Sequence, residues 1–280
     1  MNRISIIIDW LRFRTWYYLP FLRPANLILE QGVRIDLYSF MVLDAGSRIR
    51  IGKGSVLSRT VIRAEASVCD IGDGARLTGA RFILRKSCLT AGAGMIIQQA
   101  MLSLNDETEF KAGDHFMMVR EHYFKCGLFA QHASIRFGVN VNLRCHVVCH
   151  SSELLMGDHV FINEGTQLRC TQRMEFGSHI LVSYECIIFD TNTHSIDPAD
   201  RRAEMVAGFP NAARQTDEIR SKVKTAPVKI GNDVWIGTRA IILKGTTLGN
   251  AVIVGAAAVV SGLTVPDQKT VAGNPGRFQP

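Results

Sequence analysis

The sequence predicts an all-β fold, a coil of short strands whose turns stack on a common axis, and three observations carry that prediction. Residues 230–265 divide into the hexads IGNDVW, IGTRAI, ILKGTT, LGNAVI, VGAAAV and VSGLTV, opening on Ile230, Ile236, Ile242, Leu248, Val254 and Val260. Glycine follows at once in four of the six, at Gly231, Gly237, Gly249 and Gly255. The same step separates Ile71, Leu77, Ile83, Leu89, Met95 and Met101, and it returns in the triplets Phe137, Leu143, Cys149; Met156, Ile162, Leu168; and Phe176, Val182, Ile188. A period of six is neither the 3.6 of a helix nor simply the 2 of a strand, so it describes a larger repeating object. Three hexads make one turn, strand alternation points one residue per hexad to the axis, and glycine relieves the crowded bend beside it.

The elements follow in order. Residues 4–22 set Ile4, Ile7, Ile8, Leu11, Trp16 and Phe21 among Arg3, Arg12, Arg14 and Arg23, which predicts a basic amphipathic helix ending near Pro20. It is expected either to cap the first turn of the coil or to lie on a membrane surface drawn by anionic lipid. Residues 1–32 form this N-terminal segment, 33–136 less regular turns, and 137–280 the regular coil that carries the chemistry. Within 33–136, Leu104, Phe110 and Phe116 continue the step after a shift of three with larger side chains, as a wider turn requires. Residues 120–134 show no clear register. The triplets starting at Phe137, Met156 and Phe176 lie 19 and 20 residues apart, so small insertions are expected at one corner. From Ile188 to Ile230 the step is 42 where six is due, so an excursion over 189–229 leaves the coil. An excursion that long in a compact repeat points to function. Asp197 before Pro198 predicts a helix N-cap inside it. Pro266 and Pro275 end the hexads in a C-terminal tail.

Composition narrows the classes. The 280 residues are 47% hydrophobic with 24 glycines and 8 prolines, which excludes a disordered chain, and the apolar runs are too short to span a bilayer. Seven cysteines without a CxxC pair do not suit a secreted disulfide framework and read as reduced and mostly buried. Asp9, Arg12 and Arg14 interrupt any signal-peptide core, so a cytoplasmic location is expected, with the inner face of the membrane as the variant. The net charge is +7, and from Arg48 to Lys86 there are nine basic residues against three acidic ones. A solvated basic face accounts for most such runs, although an anionic visitor fits too. The aromatic and basic interleaving of a nucleic-acid interface is missing, so nucleic acid is not an expected partner.

The hexads and the closing VPDQKTVAGNPGRFQP resemble the hexapeptide-repeat acyltransferases. That resemblance implies a left-handed parallel β-helix, a homotrimer, and coenzyme A bound in the groove between subunits. Residues 193–201, THSIDPADR, resemble the THPxDxxxR segment of maltose and galactoside O-acetyltransferases, whose histidine is the general base. The matching residue is His194. An alcohol is a weak nucleophile with a proton to lose, and an imidazole titrating near neutral pH can take that proton as the oxygen attacks a thioester. The plainer reading of His194 is a hydrogen-bonded anchor at the base of the excursion.

By the same resemblance Asn163 binds the acceptor, with a side-chain ladder at a coil corner as the plain reading. Asp197 could orient His194 or the acceptor, although N-capping fits its place before Pro198 better. Trp235 offers an indole wall to the thioester arm or a sugar ring, or simply packs. The positions matching the coenzyme groove are Trp235, Thr238, Gly255, Ala256 and Ser261, with Arg277 for the nucleotide phosphates. Many relatives carry Thr-Lys where this chain has Ser261-Gly262, which removes a phosphate-binding cation. Glu185 and Asp190 are carboxylates near the site with no assigned role.

The implied activity is acetyl-coenzyme A dependent O-acetylation of a sugar or glycan precursor, by direct transfer with His194 as base and no metal. The implied partners are the glycan acceptor, a homotrimer and, through residues 1–24, a membrane surface. Antibiotic O-acetylation is the nearest rival, and a non-catalytic β-helix scaffold is another. A zinc hydratase of the same fold would use histidines, and His159 and His179, two residues after successive glycines, are expected to stack near Asp233. His146 and His150, with Cys145 and Cys149, fall on a strand pattern that keeps them apart. A covalent route through Cys186 lacks a neighbour that would lower its pKa.

Overall fold

Three parallel sheets run along the chain in a computed structural model that describes residues 3–19, 22–37, 40–43, 46–58, 61–64, 68–78, 81–84, 88–97, 101–104, 109–118, 127–130, 134–144, 146–149, 153–207 and 221–279. The sheets hold 11, 12 and 10 strands, and the order within each follows the sequence, so every turn adds one strand to each face of a β-helix. The regular hexads stack as expected. Phe176 pairs with Ile230 and Ile230 with Leu248 in the first sheet. Val182, Ile236 and Val254 align in the second, and Ile188, Ile242 and Val260 in the third. All nine side chains are buried. At roughly 1.5–3 kcal/mol per fully buried aliphatic side chain, these columns hold the turns together.

The earlier turns correct the register. Ile71 pairs with Ala91, and Leu89 with Cys69, so one turn there takes 20 residues and the uninterrupted step of six drifts by two per turn. Ile83 pairs with Arg63 and Ser103, one column away from Phe82 and Leu102. Likewise Cys149 pairs with Cys170, while Val147 is the partner of Leu168. The physical reason is that a four-residue strand has two inward positions, i and i+2. Cys69 and Ile71 are both fully buried, so a drifting step still lands on apolar residues. The large side chains Phe110, Phe116 and Phe137 pack ring to ring at 5.5–5.6 Å, with the small Ala91 and Ala112 in the same core. Sheet order is unbroken across residue 136. In the stretch without clear register, Gly127–Ala130 is a strand of the third sheet, and 120–126 and 131–133 lie outside the described residues.

The hexad glycines are required by close approach of successive turns. A Cβ on Gly231 would lie 2.7 Å from the carbonyl carbon and oxygen of Gly249, which are backbone and cannot move without parting the turns. Gly231→Ala is therefore expected to destabilise the fold by about 1–3 kcal/mol, as overpacking does, read as a lowered midpoint in urea.

A helix, α1 (Arg3–Tyr18), precedes the coil, starting one residue before the expected span and ending two before Pro20. It caps the first turn. Phe13 is fully buried and Arg14 nearly so. Trp10 Nε1–H donates to the Leu37 carbonyl at 2.7 Å, the Tyr17 hydroxyl to Val33 at 3.3 Å, and Arg14 to Asp36. At the other end Thr270–Ala272 pairs antiparallel with Arg277–Phe278. Among the described residues no helix is long and apolar enough to cross a membrane.

Candidate active site

The excursion leaves the third sheet after Ile187–Phe189 and rejoins the first at Val228–Ile230. Its two ends pair at once. Asn192 N–H donates to Lys224 and Ala226 N–H to Asp190, each at 3.0 Å, with an antiparallel bridge between Thr191 and Thr225. The fully buried Asp190 carboxylate accepts the backbone N–H groups of Thr171 at 2.7 Å, Gln172 at 2.6 Å and Arg173 at 2.9 Å. Those residues are the corner insertion between Leu168 and Phe176, so one carboxylate satisfies the insertion's donors and roots the excursion. Burial pushes the Asp190 carboxyl above its ordinary pKa, against the opposing pull of the three N–H donors.

Within the excursion the THSIDPADR segment folds on itself. Asp197 Oδ1 accepts the Ala199 N–H at 2.7 Å and so caps α2 (Pro198–Ala207). The buried Ser195 hydroxyl donates to Asp200 at 3.0 Å and accepts the Asp197 N–H at 3.1 Å. Arg201 Nη1 donates to the carbonyls of Ser195 and Ile196 at 3.0 and 2.7 Å. Lys222, from the returning chain, donates to Asp200 at 3.0 Å, and with Ser195 it holds the Asp200 carboxyl below the usual range. These bonds present His194. Its Nδ1 lies 2.9 Å from Glu204 Oε2 on α2, and its side chain is 62% exposed. With Nδ1–H donating to the carboxylate, Nε2 is left as the acceptor, the tautomer a general base needs.

The sequence singled out His194 but missed Glu204. The only signal for Glu204 was a carboxylate about two helical turns beyond the N-cap. Asp197 serves the helix and has no contact with the imidazole among its described bonds. Asn163 is buried, and its Nδ2 donates to the Val182 carbonyl at 3.2 Å, so its amide nitrogen is engaged in the ladder between turns. Trp235 faces outward from the second sheet, half exposed, with Nε1–H donating to Ser183 Oγ at 3.3 Å. Thr238, Gly255 and Ala256 come together at the corner after the second sheet, where Ala257 N–H donates to Thr238 and Gly255 N–H to Val271. Ser261 is exposed at the end of strand Val259–Ser261, and Arg277 is exposed on the terminal hairpin.

Glu185 pairs with Arg239 at 2.6 Å. The His159 and His179 rings stack at 5.0 Å, and His179 Nδ1 lies 4.0 Å from Asp233. No group of three metal-ligating side chains occurs among the described residues. Cys186 is buried, its Sγ is 3.2 Å from the Gly237 carbonyl, and burial pushes its thiol pKa up, which disfavours a thiolate nucleophile. Cys69, Cys88 and Cys186 are free thiols. Cys145 and His150 lie outside the described residues, as do the side chains of His146 and Cys149.

Residues 227–262 match the model of the bacterial transferase hexapeptide family, six repeats. The match spans the regular hexads that follow the excursion. It is 28% identical over 149 residues to WbbJ of Escherichia coli (strain K12), named a lipopolysaccharide biosynthesis O-acetyl transferase, across 52% of this chain and 70% of that protein. It is 26% identical over 128 residues to the galactoside O-acetyltransferase of the same organism, across 44% of this chain and 61% of that protein. A solved hexapeptide-repeat acetyltransferase of Vibrio cholerae O1 biovar eltor, VCA0836 complexed with acetyl coenzyme A, has 24% identity and a TM-score of 0.39 over 51% of this chain and 68% of that one.

Proposed function

We propose that this hexapeptide-repeat chain is an acetyl-coenzyme A dependent O-acetyltransferase acting on a hydroxyl of a sugar or glycan precursor. The observation that carries the reading is the exposed imidazole of His194, held through Nδ1 by Glu204 at the mouth of the excursion. Nε2 takes the acceptor's proton as its oxygen bonds to the acetyl carbonyl carbon. The carbon–sulfur bond then breaks, and the proton returns to the leaving thiolate. Glu204 is a positioning residue: it fixes the ring and offsets the charge the ring gains. The acetyl donor and the glycan acceptor are supported by the names of the two Escherichia coli relatives and by the THSIDPADR segment.

The thioester arm is assigned to the corner of Thr238, Gly255 and Ala256, where small residues let a ligand approach the backbone. Ser261 and Arg277 lie towards its nucleotide end, and Trp235 walls the acceptor side, with Asn163 contributing through its remaining amide oxygen. A homotrimer is supported by the outer column of the second sheet. Phe161, Leu181, Trp235 and Ile253 stand there in register, three of them exposed, an apolar stripe a neighbouring copy would cover.

Release of free thiol from acetyl-coenzyme A, measured across a panel of glycans and nucleotide sugars, tests the reading, and failure of every hydroxyl acceptor to stimulate release would end it. In the same assay Glu204→Gln is expected to lower kcat by about tenfold or more, a part of the 10² to 10⁴ that general-base assistance supplies. The KM for acetyl-coenzyme A and the thermal midpoint should stay unchanged, because the ring is exposed and Glu204 is only half-buried.

A further inference from the structure

We propose that the outward face of α1 docks this protein on an anionic lipid surface. The two sequence expectations for this segment describe opposite faces of one helix. Phe13, Arg14 and Tyr17 face the first turn of the coil, and their bonds to Asp36 and Val33 hold the helix there. On the other side Ile7 is 57% exposed, Ile8 50%, Leu11 53% and Tyr18 63%, a stripe at helical spacing. Leu22 continues it beyond the helix end, and Leu37, exposed on the adjoining turn, widens it beside Trp10. The strands Leu27–Leu29, Arg34–Ile35 and Phe40–Leu43 are the first of their sheets, so this stripe lies at the end of the stack and faces away from it.

Charge selects the occupant. The exposed arginines Arg12, Arg34 and Arg48 flank this end. The acidic side chains described there, Glu30 and Asp36, are half-buried, and Glu30 is paired with Arg50. A second copy docking through the same face would set these arginines against their own counterparts, since a two-fold contact pairs each patch with itself. An anionic headgroup layer instead receives the arginines while the aliphatic stripe enters the boundary with the acyl chains. The helix has 16 residues, too short to span the bilayer, so it lies in the plane of the surface.

Co-sedimentation of the full chain with phosphatidylcholine vesicles, with and without phosphatidylglycerol, tests this. Binding is expected to anionic vesicles and to weaken with salt. Arg12→Glu should lower the partition coefficient by at least about fivefold, the worth of one basic residue near such a surface. Ile8→Asp with Leu11→Asp should abolish binding while leaving the thermal midpoint and acetyl transfer to a soluble acceptor unchanged, because neither side chain supports the coil or the site. Equal recovery without vesicles, no preference for anionic over neutral vesicles, or undiminished binding by the double variant would overturn the proposal. So would a concentration-dependent association of the free protein that Leu11→Asp removes, which would assign the face to a second copy.

Discussion

His194→Ala is expected to keep the fold and to lose acetyl transfer by about 10² to 10⁴-fold, the worth of a positioned general base. The fold should survive because the ring is exposed and its one described partner, Glu204, is only half-buried. The segment around it is held by other groups: Ser195, Asp200, Arg201 and Lys222 make the bonds that shape the loop, and none of them passes through the imidazole. Loss should therefore fall on kcat, with binding of acetyl-coenzyme A retained. Retention of a tenth of wild-type turnover, in protein with an unchanged circular dichroism spectrum, would reduce His194 to an anchor of the loop.

Asp190→Ala should have the largest effect on stability. Three backbone N–H groups at the corner 171–173 donate to this one carboxylate, and the site is fully buried. Each donor left unsatisfied costs about 1–3 kcal/mol, so a loss of at least about 3 kcal/mol is expected even if water reaches part of the corner. The base of the excursion should loosen with it, because the Asp190 backbone also accepts from Ala226. Urea unfolding with hydrogen exchange at residues 171–173 and 190–192 gives the measurement. A midpoint within error of the wild type, with those amides still protected, would show that the corner does not depend on the carboxylate. Asp190→Asn keeps one acceptor oxygen and should fall between the two.

The regular turns were legible because their side chains obey a strict local rule. From Met156 onward the step of six places Ile162, Leu168, Val182 and Ile188 where the stacking has them. Upstream the rule fails by two residues per turn, since Ile71 sits on Ala91 rather than on Leu89. Both inward positions of those strands are apolar, so hydrophobicity alone does not distinguish them. Asp197 and Pro198 announced the helix in the excursion because N-capping depends on neighbours in sequence. Glu204 gave no such signal: its contact to His194 spans ten residues and needs the helix to turn back over the loop. Asp190 was visible only as a carboxylate near the site, because its three donors come from the preceding turn.

Periodicity by itself determined the stacked β-coil and the place where the chain leaves it, because both follow from spacing along the chain, and the resemblance of the THSIDPADR segment singled out His194 on that departure. Only the tertiary structure decided which carboxylate holds the imidazole, which one roots the excursion, and which face of the N-terminal helix is covered. Those contacts join residues from different turns or elements, and the direction of a side chain across a turn is set by how the turns stack.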